Sequence, residues 1–309
     1  MTASVATPSQ SKPLHLRLPA TSANLGPGFD ALGLAMALYL TIDATTAEDF
    51  HIDATGRNAD LCANIQDNLI LTTYVDVLAN AGILAPALHL QLHNEIPLGM
   101  GCGSSAAALL AGVLFANHFG NLNWTTSQIL EEACRREGHP ENVAACYLGG
   151  MTASSLTKDG LVTATCGQNL AWNLSLAVPS ASLSTKRARA LLPAHYTRED
   201  AVVNIQATAL LVAAFAQGRG DLLRTAMRDR LHQPHRMKAC PLLPLLLPLA
   251  EMTENPGILG VALSGAGPSV LLIVGNETPS AFDDIIRQAA KDPTLEIIHT
   301  TISTGARQS

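Results

Sequence analysis

The sequence predicts an α+β fold, and three observations support this. Short runs of alternating apolar and polar residues, typical of half-buried strands, are mixed with longer apolar segments typical of helices. The two kinds of segment do not alternate regularly, as they would in a doubly wound sheet. Hydrophobic residues make up 48% of the 309 residues and charged residues 14%, so the chain can bury a large aliphatic core. We expect one large domain or two closely packed α+β domains, divided near residue 170 into 14–170 and 171–309.

Charge and cysteine usage exclude several classes of protein. The formal net charge is −6 and no block of like charges occurs, which argues against a nucleic-acid partner. Six cysteines are scattered without a C-x-x-C pair, so they are expected to be small core residues of a cytoplasmic protein. Residues 1–13 lack the apolar run of a secretory signal and are expected to form a loose tail. The apolar run 241–249 is short and contains three prolines, which favours a buried irregular helix over a membrane anchor.

The first third of the chain carries strand signals. Leu14, Leu16 and Leu18 alternate with polar residues, which predicts a strand that ends at Pro19. Runs 38–44 and 50–54 flank a polar turn and predict a hairpin. A helix over 69–81 and a strand over 88–92 follow, and the strand stops before Pro97.

The rest of the chain is predicted to contain helices and short strands. The sequence predicts helices over 106–119 and 126–137, the second with Thr125 or Thr126 as N-cap. Short strands are expected near 152–155, 161–165 and 174–178, then a long apolar helix over 202–217. Two more apolar strands, 259–263 and 270–274, flank a glycine-rich turn.

A loop rich in glycine and serine lies between the strand 88–92 and the helix 106–119. Gly99, Gly101 and Gly103 let the backbone approach an anion, and Ser104 and Ser105 stand where the helix begins. The loop has no lysine, so it is not a Walker loop, and it lacks the dinucleotide spacing. It is either a phosphate-binding loop or a glycine-rich turn with a serine cap.

Three further segments combine turn residues with polar side chains. Residues 19–33 place Asn24 and Asp30 in a loop after the first strand, where they bind a ligand or only cap their own turn. Residues 138–143 carry His139 and Asn142, and they form either part of a site or a helix stop. Residues 264–269, Ser-Gly-Ala-Gly-Pro-Ser, offer a second place for bare backbone to contact an anion.

In this order and at these separations, the four segments resemble the GHMP kinases, a family of small-molecule kinases. Segments 19–34, 138–144, 184–193 and 231–236 resemble the branch that phosphorylates homoserine. The resemblance implies two packed α+β domains with the active site in the cleft, ATP with Mg²⁺ as cosubstrate, and L-homoserine as acceptor in threonine biosynthesis. It also allows a homodimer and gives no reason to expect a membrane or nucleic-acid partner.

The resemblance also implies roles for individual residues. Asn24, Ser104 and Arg189 would act in catalysis without a dedicated base. The amino acid would be held by Asn24, Asp30, His139, Asn142, Arg189 and Arg236. Asn68 would contact adenine, and the phosphates would lie against Pro97, Gly99, Met100, Gly101, Cys102, Gly103, Ser104 and Ser105. Such residues suit the substrate, since a carboxylate needs a bidentate cation and an ammonium needs a carboxylate such as Asp30.

The magnesium ligand is the point at which the sequence departs from the family. The family usually places a glutamate in the helix before the Gly-His-Pro motif, and Arg135 stands at that place here. Glu131 or Glu137 could substitute, Arg135 could neutralise phosphate itself, or it could be a solvated bystander. We expect Ser104 and Glu131 to hold the metal, because Glu131 lies one helical turn from Arg135.

Two other functions stay open at this stage. The chain could be a kinase of the same family that acts on a different alcohol. It could also be a regulator that binds a nucleotide or an amino acid and has lost catalysis, an idea that Arg135 motivates.

Overall fold

The computed structural model describes residues 12–252 and 257–309, so most of the expected tail, residues 1–11, lies outside the described residues. The described chain forms two sheets covered by helices. The strands are β1 Leu14–Ala23, β2 Leu32–Thr46, β3 His51–Gly56, β4 Leu88–Asn94, β5 Met151–Thr157, β6 Gly160–Cys166, β7 Asn173–Val178, β8 Ile258–Leu263, β9 Val270–Val274, β10 Glu296–Thr301 and β11 Arg307–Gln308. The α-helices are α1 Ala59–Ala63, α2 Leu69–Asn80, α3 Ser104–Phe119, α4 Thr126–Glu137, α5 Glu141–Leu148, α6 Thr185–Ala190, α7 Arg198–Gln217, α8 Leu223–Ala226, α9 Gln233–Arg236, α10 Leu242–Leu246 and α11 Asp283–Ala290.

The first sheet has the strand order β11-β1-β2-β4-β3, with β5 and β6 attached to β2. The predicted hairpin between 38–44 and 50–54 is wrong, because β4 lies between β2 and β3. β3 pairs with β4 in parallel, which requires a crossover, and the segment with α1 and α2 provides it. The crossover brings the start of α2 and the loop after β4 to the same end of the sheet.

β1 runs further than predicted. It continues through Pro19 to Ala23, and the register with β2 shifts between Pro19 and Ala20. Proline has no N–H to donate to the ladder, so an irregularity in the pairing accommodates it. The extension carries the chain into the loop that begins at Asn24.

The second sheet has the order β10-β7-β9-β8, with every neighbouring pair antiparallel. Helices α10 and α11 pack on it and form a second apolar core, and the predicted irregular helix at 241–249 contributes Leu243, Leu246 and Leu249. The first sheet's strands up to β6 precede residue 167 and β7 begins at Asn173, but β11 returns to pair with β1. The division at residue 170 stays a prediction.

The cores are aliphatic, as the composition indicates. Helix α3 is buried on nearly all sides between α2, α4 and β1. All six cysteines are free, and four of them are fully buried, as expected of small core residues: Cys102, Cys134, Cys146 and Cys240.

Helix α7 supports the loop after β1. In the part of the chain that the structure describes, it alone is long and apolar enough to cross a membrane by length and composition, a test that the core helix of a globular protein also passes. Its buried face includes Leu211 and Phe215. On the same helix, the amide of Asn204 donates a hydrogen bond of 2.6 Å to the carbonyl of Pro27.

Candidate active site

A cavity of about 130 Å³ lies where the first sheet's loops meet the second sheet's β8–β9 turn. The loop after β1, the loop before α3, the start of α5, and helices α6 and α9 surround it. All the residues predicted to hold an amino acid line this cavity, although 212 residues separate the first from the last along the chain: Asn24, Asp30, His139, Asn142, Arg189 and Arg236.

The glycine loop forms one wall of the cavity. Gly99, Gly101 and Gly103 have φ values of 71°, 77° and 70°, a region that favours glycine. A side chain at Gly103 would overlap the Thr21 hydroxyl, and one at Gly101 would overlap the carbonyl of Ser264. The loop is therefore packed tightly against β1 and the β8–β9 turn, and it exposes backbone on its inner side.

Helix α3 begins at Ser104 directly after this loop, with no side chain capping its N-terminus. The N–H groups of a first helical turn have no partner within the helix, and they stand at the positive end of its dipole. Ser104 and Ser105 line the cavity beside them. The arrangement suits a phosphate group.

The other residues expected to contact phosphate differ in their placement. Cys102 lines the cavity through a buried position, and burial raises the pKa of its thiol to about 12, so it is an unreactive packing residue. Pro97 and Met100 are not among the residues that line it. The Met100 carbonyl instead accepts a hydrogen bond from the Ser269 N–H at 3.3 Å.

The charged residues near the end of α4 differ in their placement. Glu137 lines the cavity, and the Ser105 hydroxyl donates a hydrogen bond of 2.9 Å to it. Burial raises the pKa of Glu137. Arg135, with 63% of its side chain exposed, instead forms a bidentate pair with Glu132.

Glu131 is not among the residues that line the cavity, and its carboxylate accepts a hydrogen bond of 3.1 Å from Ser127. The prediction of Glu131 as metal ligand rests on its distance of one helical turn from Arg135, whereas the geometry favours Glu137. The residue that reaches the loop is the last of α4, since Gly138, with φ 86°, turns the chain into the cavity there. Glu131 lies six residues earlier and, at about 100° per residue, faces away from Glu137.

At the opposite end of the cavity, Asp30 and Arg189 form a bidentate ion pair with distances of 2.7 and 2.8 Å. The Asn24 amide donates to the carbonyl of Gly265 at 2.9 Å, and its oxygen accepts from the Asp30 N–H at 3.0 Å. Asn24 and Asp30 both have positive φ, 71° and 55°. These contacts fix the loop after β1 against the β8–β9 turn and point Asp30 towards α6.

Arg236 is a buried cation, 1% exposed. It donates hydrogen bonds to the carbonyl of Gly265 at 3.2 Å and to Nδ1 of His232 at 3.1 Å, and among the described residues it has no carboxylate partner within ion-pair distance. Burial and the charge of Arg189 lower its pKa. Its guanidinium carbon lies 5.4 Å from the centre of the Phe29 ring, and that of Arg189 lies 5.5 Å from the same ring. Arg236 is thus a cation in the cavity wall that is available to an anionic ligand.

A polar cluster joins the start of α5 to β1. The Thr21 hydroxyl donates to Asn142 at 2.7 Å, and the Asn142 amide donates to Glu141 at 3.1 Å. His139 Nδ1 lies 2.8 Å from the same Glu141 oxygen, Oε1. Burial alone would lower the pKa of His139, but the Glu141 carboxylate outweighs it and the pKa is raised. The other Glu141 oxygen is buried and has no hydrogen-bond partner among the described residues, so it remains an acceptor for a ligand.

The sequence alone assigned no role to Phe29, His232 or Glu141. Glu141 stands between two predicted site residues, which was a usable signal. Phe29 and His232 lie within the segments 19–34 and 231–236, but their contacts with the two arginines arise only in three dimensions.

A second, larger cavity of about 490 Å³ adjoins the first, and Ser104 and Ser105 line both. Its walls include the apolar side chains of Leu61, Leu69 and Ile96. Asn68 also lines it, but its side chain caps α2, accepting from the N–H groups of Ile70 and Leu71 and donating to the carbonyls of Cys62 and Asn64. The Asn68 side chain, which was expected to contact adenine, therefore already makes four hydrogen bonds within the protein.

Comparison with known proteins agrees with this geometry. Residues 68–150 match the family model of the GHMP kinases N terminal domain, and residues 211–293 match that of the GHMP kinases C terminal region. The homoserine kinase of Solibacter usitatus is 48% identical over 259 residues, 84% of each chain. That of Deinococcus radiodurans is 41% identical over 263 residues, 85% of each chain.

Solved structures show the same fold. The crystal structure of homoserine kinase from Cytophaga hutchinsonii covers all of both chains with a TM-score of 0.80 at 22% identity. The phosphomevalonate kinase of Streptococcus pneumoniae has a TM-score of 0.64 at 13% identity, over 95% of this chain and 100% of that one. The predicted α+β GHMP kinase fold is confirmed.

The chain belongs to the GHMP kinase family, whose two domain models it matches in order. Within that family it belongs with the homoserine kinases, because curated members of that group reach 48% identity over 84% of the chain.

Proposed function

We propose that the protein is an ATP-dependent homoserine kinase of threonine biosynthesis. It transfers the γ-phosphoryl group of ATP to the side-chain hydroxyl of L-homoserine and forms O-phospho-L-homoserine and ADP. The observation that carries the proposal is a single cavity with a phosphate-binding loop at one end and a set of charged groups suited to an amino acid at the other.

The phosphate end positions the transferred group. The glycine loop and the first turn of α3 hold the phosphates, and the adjoining larger cavity accommodates the nucleoside. Serine hydroxyls and a carboxylate are the hard oxygen donors that Mg²⁺ prefers, and Ser104, Ser105 and Glu137 line the cavity together. Ser104 and Glu137 would hold the metal, which would neutralise charge on the phosphates.

The other end holds the amino acid. Arg236 and Arg189 bind the substrate carboxylate, and Asp30 binds the ammonium once its pair with Arg189 is shared with the ligand. Asn24, His139 and Asn142 place the hydroxyl in line with the phosphate. As the bond between the hydroxyl oxygen and the γ-phosphorus forms, the bond to the ADP oxygen breaks and the hydroxyl proton is released to solvent. Positioning with charge neutralisation supplies most of the rate.

A substrate panel tests the proposal. The purified protein is assayed for ADP release with homoserine, mevalonate, shikimate and a set of sugars, with phosphohomoserine identified by mass spectrometry. Homoserine is expected to be the best acceptor. A better rate with another alcohol would favour the alternative of a related kinase, and nucleotide binding without turnover of any acceptor would favour a regulator.

The location and the oligomeric state of the protein are two further proposals. A cytoplasmic location fits the six free cysteines, and a homodimer is expected by resemblance. Gel filtration with light scattering measures the oligomeric state directly.

A further inference from the structure

His232 is a buried histidine beside the cavity, and it is not among the residues that line it. Its side chain is 0% exposed, and its ring stacks on Phe29 with ring centres 5.4 Å apart. One ring nitrogen, Nε2, lies 2.7 Å from the carbonyl of Gly26, and the other, Nδ1, lies 3.1 Å from Nη1 of Arg236. The imidazole therefore joins the loop after β1 to the arginine of α9.

These partners define the protonation state of the ring. A carbonyl can only accept a hydrogen bond, so Nε2 carries the hydrogen. Arginine can only donate, so Nδ1 is unprotonated and accepts. The geometry requires a neutral imidazole in one tautomer.

The surroundings favour the same state. Burial lowers the pKa of His232 to about 4, against the opposing charge of Asp229. Asp229 lies 3.5 Å from Nε2, but its carboxylate is already used by the N–H groups of Leu231, His232 and Gln233. The acceptor on Nδ1 is thus constantly available to Arg236.

Arg236 needs such an acceptor. Its guanidinium is buried and bonded to carbonyls and this ring, so its orientation depends on few contacts. A planar guanidinium binds a carboxylate bidentately only when its plane is correctly set. Gly26, held by the same ring, begins the turn between Asn24 and Asp30.

We propose that His232 is a positioning residue that fixes the orientation of the Arg236 guanidinium for binding the carboxylate of the amino acid. It also fixes the position of Arg236 relative to the Asn24–Asp30 loop. The inference rests on the proposed function, since it assigns Arg236 to the substrate carboxylate. His232 itself does not touch the substrate.

Steady-state kinetics of His232→Phe test it, because phenylalanine keeps a ring against Phe29 but removes the donor and the acceptor. The homoserine KM is expected to rise on the order of tenfold, whereas kcat at saturating homoserine and the ATP KM change by less than about twofold. His232→Gln, which retains a donor and an acceptor, is expected to recover part of the loss. His235→Phe is the matched control, since the His235 ring packs near Tyr196 and the change should leave all three parameters intact.

A double-mutant cycle with Arg236→Met separates positioning from general packing. If His232 acts through Arg236, the increase in homoserine KM caused by His232→Phe largely disappears in the Arg236→Met background. Additive effects, or equal losses for ATP and homoserine, overturn the inference. If His232→Phe does not fold, as judged by circular dichroism, the cycle is run with His232→Gln. Wild-type turnover of homoserine is measured first, so failure of the proposed function is recognised separately.

Discussion

Glu137, the last residue of α4, is the carboxylate that reaches the glycine loop, and its environment differs from those of Glu131 and Arg135 on the same helix. Glu137→Gln is expected to raise the Mg²⁺ concentration needed for half-maximal activity on the order of tenfold or more, because a charged oxygen ligand becomes neutral. Glu131→Gln and Arg135→Ala serve as controls, since Glu131 bonds to Ser127 and Arg135 pairs with Glu132. Magnesium titrations of the three variants measure this. A normal titration for Glu137→Gln together with an altered one for Glu131→Gln would reverse the assignment.

Replacing Asp30 is expected to weaken the binding of homoserine and not that of ATP. Asp30→Asn removes a charge from the amino-acid end, and a hydrogen bond to a charged group contributes about 1.5 to 3 kcal/mol. The homoserine KM should therefore rise by roughly tenfold or more while the ATP KM holds. Asp43→Asn is the control, because Asp43 pairs with His15 on the outer face of the first sheet. Calorimetry that finds ATP affinity reduced and homoserine affinity intact would contradict the placement of Asp30.

At the scale of elements, the phosphate loop depends on a glycine for two separable reasons. Gly103 has a positive φ of 70°, and an added side chain would also overlap Thr21, whose hydroxyl holds Asn142. Gly82, after α2, has a φ of 72° but open space around the position of a side chain. Comparing substitutions at Gly103 and Gly82 therefore separates the effect of backbone strain from that of a steric clash.

Gly103→Ala is expected to lower kcat/KM for ATP by roughly a hundredfold or more, because the loop must move away from β1. Gly82→Ala should cost about 1 kcal/mol of stability and leave kinetics unchanged. Kinetics and thermal melts of both variants measure the difference. Equal kinetic losses would mean that the loop is not the site of phosphate binding.

The elements with strong local signals were predictable from the sequence. Helix α4 has its N-cap at Thr125 with a complete capping box to Gln128, and β9 is a continuous apolar run. Helix α5 was missed because most of its residues are buried, so it lacks the apolar periodicity that marks an amphipathic helix. The pairing of β3 with β4 was missed because strand partners are set by long-range packing, whereas a hairpin is suggested by proximity along the chain.

For the whole molecule, the site forms where the two sheets meet, and the residues brought there come from both halves of the chain. Six residues predicted to hold an amino acid line one cavity, and they could be selected from the sequence because their segments have a recognisable order. The residues that orient them, such as His232, lie outside the cavity, and their contacts form only in the folded protein. Their contribution should be visible in the stability of the folded protein.

Acid should destabilise the fold in part through His232. An unfolded histidine takes up its proton near pH 6.5, whereas burial holds the pKa of His232 at about 4 in the folded protein. Over that window the unfolded chain binds more protons, so folding stability falls as the pH decreases from about 6.5 to about 4, with a slope of up to about 1.4 kcal/mol per pH unit from this one group. The charged groups that face the ring are Asp229, Asp30 and Arg236.

His139 and Glu137 act in the opposite direction, because their pKa values are raised in the folded state and acid therefore favours folding through them. The His232 contribution is isolated by difference. Urea unfolding of the wild type and His232→Gln is measured from pH 4.5 to pH 7.5. The difference between the two free energies of unfolding should narrow as the pH falls. Only the wild type has a buried neutral histidine, and acid therefore lowers the stability of the wild type alone through this residue. His15→Gln, at a position on the sheet surface beside Asp43, is the control for replacing a histidine by glutamine. Parallel curves for wild type and His232→Gln would mean that the folded and unfolded chains bind the His232 proton equally, so that burial does not lower the pKa of His232.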